Sequence, residues 1–205
     1  MADLPFFLRE SSGTQEEIMK ATYCALCEYG YSELTIQRIG EHFDKSKSLL
    51  YHHYENKDSL LLEFLQFILD EFQHSIPDNK EQRADERLNI ILDRLHADTL
   101  SEEQQNFVRA MVELRAQAAH DDRYRSHFTH SDQQFHALLV DIIQDGIKEN
   151  IFQRVEPERV AAFLLTCTNS AMLQHATSDN DYITHSREEI DIYINTRLMK
   201  NSSPQ

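Results

Sequence analysis

Hydrophobic and polar residues along this chain follow a helical rather than a strand period. Apolar side chains recur at three- and four-residue spacing, which puts them on one face of a 3.6-residue turn. The first such segment opens at Thr14, where Gln15-Glu16-Glu17 is a helix-start signal with Glu17 at the capping-box position. Ile18, Ala21, Tyr23 or Cys24, Ala25 and Leu26 continue it, and Gly30 is placed to end it as a left-handed C-cap residue. Two short helices are expected next. Thr35 is the N-cap of one that holds Ile36 and Ile39. Asp44-Lys45-Ser46 forms a break, and Ser46 caps another that holds Leu49, Leu50 and Tyr51.

Beyond Asn56-Lys57-Asp58 the segments lengthen. One helix is expected from about Asp58 to Ser75, ended by Pro77, and another from about Glu81 to Ala97. Ser101 and Gln104 form a capping box for a helix reaching about His120. The next starts at Asp122 or Ser131 and runs to Asn150. Pro157 suits the first turn of one that ends near Thr177, and a last one spans about Ser186 to Met199. The expected fold is all-α, with about nine helices.

Composition supports the pattern. The chain of 205 residues has four Gly and four Pro, too few for Gly-rich phosphate loops or the many turns of a β-sandwich. It has no apolar run of 18 or more residues, so no membrane span is expected. Phe6, Phe7 and Leu8 lack the basic start and long apolar stretch of a signal peptide. Three cysteines, Cys24, Cys27 and Cys167, fit a reducing cytosol, and the Cys24-Ala25-Leu26-Cys27 spacing falls within the packing face of the first helix. His127 and His130, with Asp132 near, read as surface scatter, so no metal is expected. No cofactor is expected either, and no local catalytic motif supports an enzyme.

Two short helices joined by a tight break, the second opening on Ser46, Lys47 and Ser48, form a helix-turn-helix. A helix that enters a major groove about 12 Å wide needs small or flexible polar residues on its leading face. Leu50 faces back to hold it on a three-helix core. Tyr51 and His52 offer hydrogen bonds to phosphates, which position without reading sequence.

From Ile18 to Leu62 the chain resembles the N-terminal DNA-binding domain of the TetR/AcrR family of transcriptional repressors. The matching positions are the Gly30-Tyr31 pair, Thr35-Ile36, Ile39-Gly40, Ser46 to Tyr51, His53-Tyr54 and Lys57 to Leu61. Gly146-Ile147, Ile151-Phe152 and Glu156-Pro157-Glu158 match a more variable part of the pattern. Departures are Asp44 for the turn glycine, Lys45 for an apolar residue, Gly40 for an alanine, and the lack of a basic residue just before the first helix. Lys45 there either leaves the turn less well packed or adds a phosphate contact.

The residues before Thr14 lack helical period and carry Ser11, Ser12 and Gly13, so a flexible arm is expected over 1–13, with a tail over 201–205. The resemblance implies a helix-turn-helix domain over 14–57 and a helical ligand-binding and dimerisation domain over 58–200. It implies that Thr35, Lys45, Ser46, Lys47, Ser48, Leu49, Tyr51, His52 and Lys57 meet double-stranded DNA. It also implies a homodimer on a near-palindromic operator, released by a small effector. Candidate ligand-lining residues are Phe64, Phe67, Ile68, Phe107, Met111, Phe135, His136, Leu139, Phe163 and Cys167, whose aromatic content favours an apolar or aromatic effector. Candidate dimer residues are Ala161, Leu164, Leu165, Ala171 and Met172, with Ile190, Tyr193, Ile194 and Arg197 on the last helix. The alternative is a helical ligand- or protein-binding module of the same fold that has lost DNA binding.

Charge bears on that alternative. A net charge of −15 should repel DNA. The acidity is uneven, however. Residues 1–57 hold six basic residues against nine acidic ones, a balance of −3, and the rest of the chain carries −12. Lys45, Lys47 and Lys57 concentrate positive charge where phosphates are expected.

Overall fold

The structure is a computed structural model that describes residues 13–75, 82–95, 100–180 and 182–200. The expected arm up to residue 12, the stop at Pro77, the start at Glu81, the end at Ala97 and the tail lie outside these residues. Among the described residues there are nine α-helices. They are α1 (Thr14–Glu33), α2 (Ile36–Ile39), α3 (Lys47–His53), α4 (Lys57–Ser75), α5 (Ala84–Leu95), α6 (Glu102–Gln117), α7 (Asp122–Lys148), α8 (Pro157–Thr177) and α9 (Tyr182–Tyr193). The all-α expectation is met.

Several helix ends follow from their residues. Thr35 caps α2 by accepting a hydrogen bond from the Arg38 N–H at 3.1 Å. Ser101 and Gln104 form the reciprocal capping box of α6, and Pro157 opens α8. Two expected caps differ. Gly13, not Thr14, is the N-cap of α1 and makes no side-chain cap bond. Ser46 is the N-cap of α3, but its hydroxyl pairs with that of Ser48 at 2.7 Å instead of capping. Gly30 breaks α1 with φ +64° and ψ 176°, a region open in practice only to glycine.

The chain packs as two compact units. The first comprises Met1–Pro77 and Leu100–Thr129, and the second Asp78–Thr99 and His130–Gln205. This division by packing differs from the division by segment expected at residue 57, because α4, α6 and the first turns of α7 pack with α1–α3. The core of the first unit gathers Ile18, Met19, Tyr23 and Leu26 of α1 with Leu50 of α3, Leu60, Leu61 and Phe64 of α4, and Leu114 of α6. Cys24 and Cys27 pack against it, half-buried and unbridged. Each large side chain buried this way contributes about 2 kcal/mol.

In the second unit, Leu88, Ile91 and Leu92 of α5, Ile142 and Ile143 of α7, Val160 and Leu164 of α8, and Ile183 and Ile190 of α9 are buried. Ion pairs knit the same helices. Arg87 meets Asp145 at 3.2 Å, and Arg187 meets both Asp93 and Asp191. The two arginine side chains are only 10% and 13% exposed.

The chain leaves α7 through Asn150, at φ +64°, and the N–H groups of Ile151 and Phe152 both donate to the Gly146 carbonyl at 2.9 Å. The Phe152 ring then lies on Gly146 so closely that a Cβ there would stand 2.1 Å from a ring carbon. The last helix was expected to run from Ser186 to Met199. Instead α9 starts at Tyr182, and after Tyr193 it widens into a π turn over Ile194–Leu198. The physical reason is a bridge between Phe152 and Met199. Gln153 N–H donates to Leu198 O and Lys200 N–H to Ile151 O, each at 2.8 Å, which draws the chain out of the helix.

Candidate nucleic-acid interface

α3 is only seven residues long, and one buried anchor sets its pose. Leu50 is fully buried in the first unit. Tyr54, just past the helix, adds a second anchor. It is buried, and its hydroxyl donates to Glu63 of α4 at 2.9 Å. Burial, and then the Glu63 hydrogen bond, raise the Tyr54 hydroxyl pKa, so it remains a donor. With these residues turned inward, Lys47, Ser48, Tyr51 and His52 are exposed, and Leu49 is half-buried. Lys47 with Tyr51, and Ser48 with His52, are four apart and share the outer face. Tyr51 is 59% exposed, a large aromatic side chain held out from the helix. His52 and His53 stand edge to face with ring centroids 5.7 Å apart.

The basic residues divide into held and unheld. Lys45 does not leave the turn without a contact. Its ammonium folds back onto the first turn of α1, 2.7 Å from Glu17 and 2.9 Å from the Thr14 hydroxyl. An ion pair thus replaces the apolar contact the turn lacks. Lys57 donates to the Tyr31 carbonyl at 3.1 Å and lies 4.3 Å from the centre of the Tyr31 ring. Arg38 pairs with Glu33 at 2.9 Å and stacks over Tyr29. Among the described residues Lys47 makes no ion pair. Its stem passes over Gly40, where an added Cβ would stand 3.0 Å from Lys47 Cγ. The glycine therefore makes room for the lysine. Thr35 spends its hydroxyl oxygen on capping but keeps its own proton to donate.

The candidate ligand residues fall into both units. Phe64 is fully buried in the core of the first unit, with Phe67, Ile68, Phe107 and Met111 packed against that core. In the second, Leu139 is buried, Phe135 and Cys167 are half-buried, and His136 bonds the Glu158 carbonyl at 3.0 Å. Phe163 points outward, 43% exposed, and meets the Tyr193 ring at 4.8 Å.

Of the candidate dimer residues, Ala161, Leu164, Ala171, Ile190 and Ile194 are buried within the second unit. Leu165, Met172 and Tyr193 are half-buried and Arg197 is exposed. Phe163, expected in the ligand pocket, stands outside, as do Leu173 on α8 and Ile192 on α9, which the sequence did not single out.

The fold and this face define a helix-turn-helix regulator of transcription. Residues 18–64 match the family described as bacterial regulatory proteins, tetR family, and residues 84–197 match the C-terminal domain of BetI-type transcriptional repressors. The chain belongs to the TetR family of transcriptional regulators, which are not enzymes. A TetR transcription regulator from Haloarcula marismortui is 33% identical, with a TM-score of 0.81, over 92% of this chain and 100% of that one. A transcriptional regulator from Saccharomonospora viridis, solved in complex with choline, shares the fold at 16% identity and a TM-score of 0.76, over 93% of this chain and 100% of that one. The curated repressor AcnR of Corynebacterium jeikeium is 40% identical over 47 residues, which is 23% of this chain and 25% of that protein. The chain thus matches only a quarter of that relative's length. No helix among the described residues is long and apolar enough to cross a membrane.

Proposed function

We propose that the chain is a ligand-responsive repressor that binds a near-palindromic DNA operator as a homodimer, works in the cytoplasm, and is released by a small apolar or aromatic effector. The observation that carries the reading is the outer face of α3. A short helix anchored by Leu50 presents Lys47, Ser48, Tyr51 and His52 to solvent together. Lys47 supplies a phosphate or base contact, Tyr51 packs on the sugar-phosphate backbone, and the Thr35 hydroxyl with the α2 N-terminus receives a phosphate. Lys45 and Lys57 join only by exchanging Glu17 and Tyr31 for phosphate.

A dimer through the outward faces of α8 and α9 fits the charge pattern. From Val160 to Thr177, α8 has no Asp, Glu, Lys or Arg, although 27% of the chain is charged. Its exposed stripe is Ala162, Thr166, Ser170, Leu173 and Thr177, beside Phe163. The Thr166 and Thr177 hydroxyls donate to carbonyls of their own helix at 2.8 and 2.7 Å, so their polar groups are already partnered. Such a stripe suits a second copy of itself.

The mechanism is a linked equilibrium. One dimer geometry spaces the two α3 helices for successive major grooves, and the effector favours another. A coupling of about 1–3 kcal/mol changes operator affinity roughly 5- to 150-fold. Selection of bound duplexes from random DNA tests the reading, with light scattering alongside. An enriched two-fold sequence and a particle of twice 24.1 kDa are expected. Failure to enrich any sequence would leave the binding module without DNA function as the better account.

A further inference from the structure

Two hydrogen bonds join the segment that matches the DNA-binding family domain to the segment that matches the C-terminal one, and they converge on one joint. The Tyr31 N–H donates to Glu113 Oε2 of α6 at 2.6 Å. The Tyr124 hydroxyl of α7 donates to Asp58 Oδ1 at 2.9 Å, and the Tyr31 hydroxyl donates to the same oxygen at 3.3 Å. Lys57 takes the remaining handle, the Tyr31 carbonyl. Tyr31 is therefore held at its N–H, C=O, ring and hydroxyl, all within the first packing unit.

The position of this residue gives the grip its importance. Tyr31 directly follows the break at Gly30, where the chain leaves α1 for α2 and α3. Gly30 also lets the carboxylate approach closely, because a Cβ there would stand 3.2 Å from Glu113 Oε2. Tyr124 is buried, and burial followed by the Asp58 hydrogen bond raises its hydroxyl pKa, so it stays a donor. Burial and the Asp58 charge do the same for Tyr31, with Asp121 and Arg123 acting in opposite directions beside it. Glu113, by contrast, is exposed. A bond on such a group adds little to global stability but still fixes local geometry.

We propose that Glu113 and Tyr124 are positioning residues for DNA reading: by holding Tyr31 and Asp58 they set the angle at which α2 and α3 leave α1. The inference rests on the DNA-binding function above and adds the contacts through which α6 and α7 act on it. A small shift of α6 or α7 lengthens these bonds and frees the joint, because a hydrogen bond weakens steeply with distance and angle.

The test uses the full chain as Glu113→Ala, Glu113→Gln and Tyr124→Phe. The readouts are melting temperature, amide hydrogen exchange, and affinity for the duplex selected by the wild type against a scrambled duplex. Glu113→Ala is expected to melt within a few degrees of wild type and to exchange faster at residues 31–34. Its preference for the selected duplex should fall roughly three- to tenfold. Glu113→Gln should recover part of that loss, and Tyr124→Phe should move the same way as Glu113→Ala. If Glu113→Ala melts far below wild type, the Gln and Phe variants decide. Folded variants that discriminate as well as wild type overturn the proposal while DNA reading stands. A wild type that selects no sequence removes both.

Discussion

The two packing units use charge in different ways. In the second unit, Arg87 and Arg187 are nearly buried and tie α5 to α7 and to α9. Those pairs are part of the framework, since a guanidinium that loses its carboxylate is left in a poorly hydrated place, although Asp93 and Asp191 themselves are 68% and 47% exposed. In the first unit, the lysines near α3 are held by groups that a phosphate can replace: Lys45 by Glu17 and Thr14, and Lys57 by a carbonyl and a ring. Lys47 is left outward. One unit spends its ion pairs on rigidity, while the other keeps its cations exchangeable. This also reconciles a −15 chain with DNA, because locally the acids that matter are partners rather than repellents.

The largest expected effect breaks the framework side. Gly146→Ala sets a Cβ against the buried Phe152 ring and should cost about 3 kcal/mol, seen as a lower urea midpoint. A variant as stable as wild type would mean that the α7 exit is looser than its packing implies. Arg187→Ala should cost about 1 kcal/mol, mostly through the lost packing of its stem. Because packing does not depend on salt, 0.5 M salt should reduce that loss only in part. A loss abolished by salt would put these pairs in the same class as those of the first unit.

On the exchangeable side, Glu17→Gln releases Lys45. Operator affinity at low salt should rise about two- to threefold, and the slope of log affinity against log salt should steepen by up to about 0.9. An unchanged slope would mean that Lys45 stays on α1 in the complex. The smallest effect concerns Cys27. Burial, the largest of several causes, pushes its thiol up to about 12. A raised thiol pKa means the unfolded chain loses its proton first, so this group withdraws stability as pH climbs past about 8.5. Iodoacetamide at pH 8 should label Cys27 far more slowly in the folded protein than in urea. Equal rates would place the thiol outside the packed face.

Much of the fold was legible because caps and periodicity are local. Thr35, the Ser101–Gln104 box and Pro157 marked helix starts correctly. The π turn was not legible, since it depends on a bridge to Phe152, more than 40 residues away. Periodicity also tells which residues share a face but not where the face points: Leu164 and Ile190, expected at a dimer seam, are buried within the second unit. The site divides the same way. The outer row of α3 could be read from Ser46 to His52. The holding of Lys45 by Glu17 and of Tyr31 by Glu113 could not, because those partners lie 28 and 82 residues away, with no spacing rule to pair them.

The most direct test of the central claim is a salt-titrated binding isotherm on the selected operator for wild type, Lys47→Ala and Tyr51→Ala. Both variants are expected to fold, with Lys47→Ala weakened roughly tenfold at low salt and its salt slope reduced by about 0.9. Tyr51→Ala should be weakened with its slope unchanged. Wild-type affinity and slope in both variants would contradict the assignment of α3 as the helix that meets DNA.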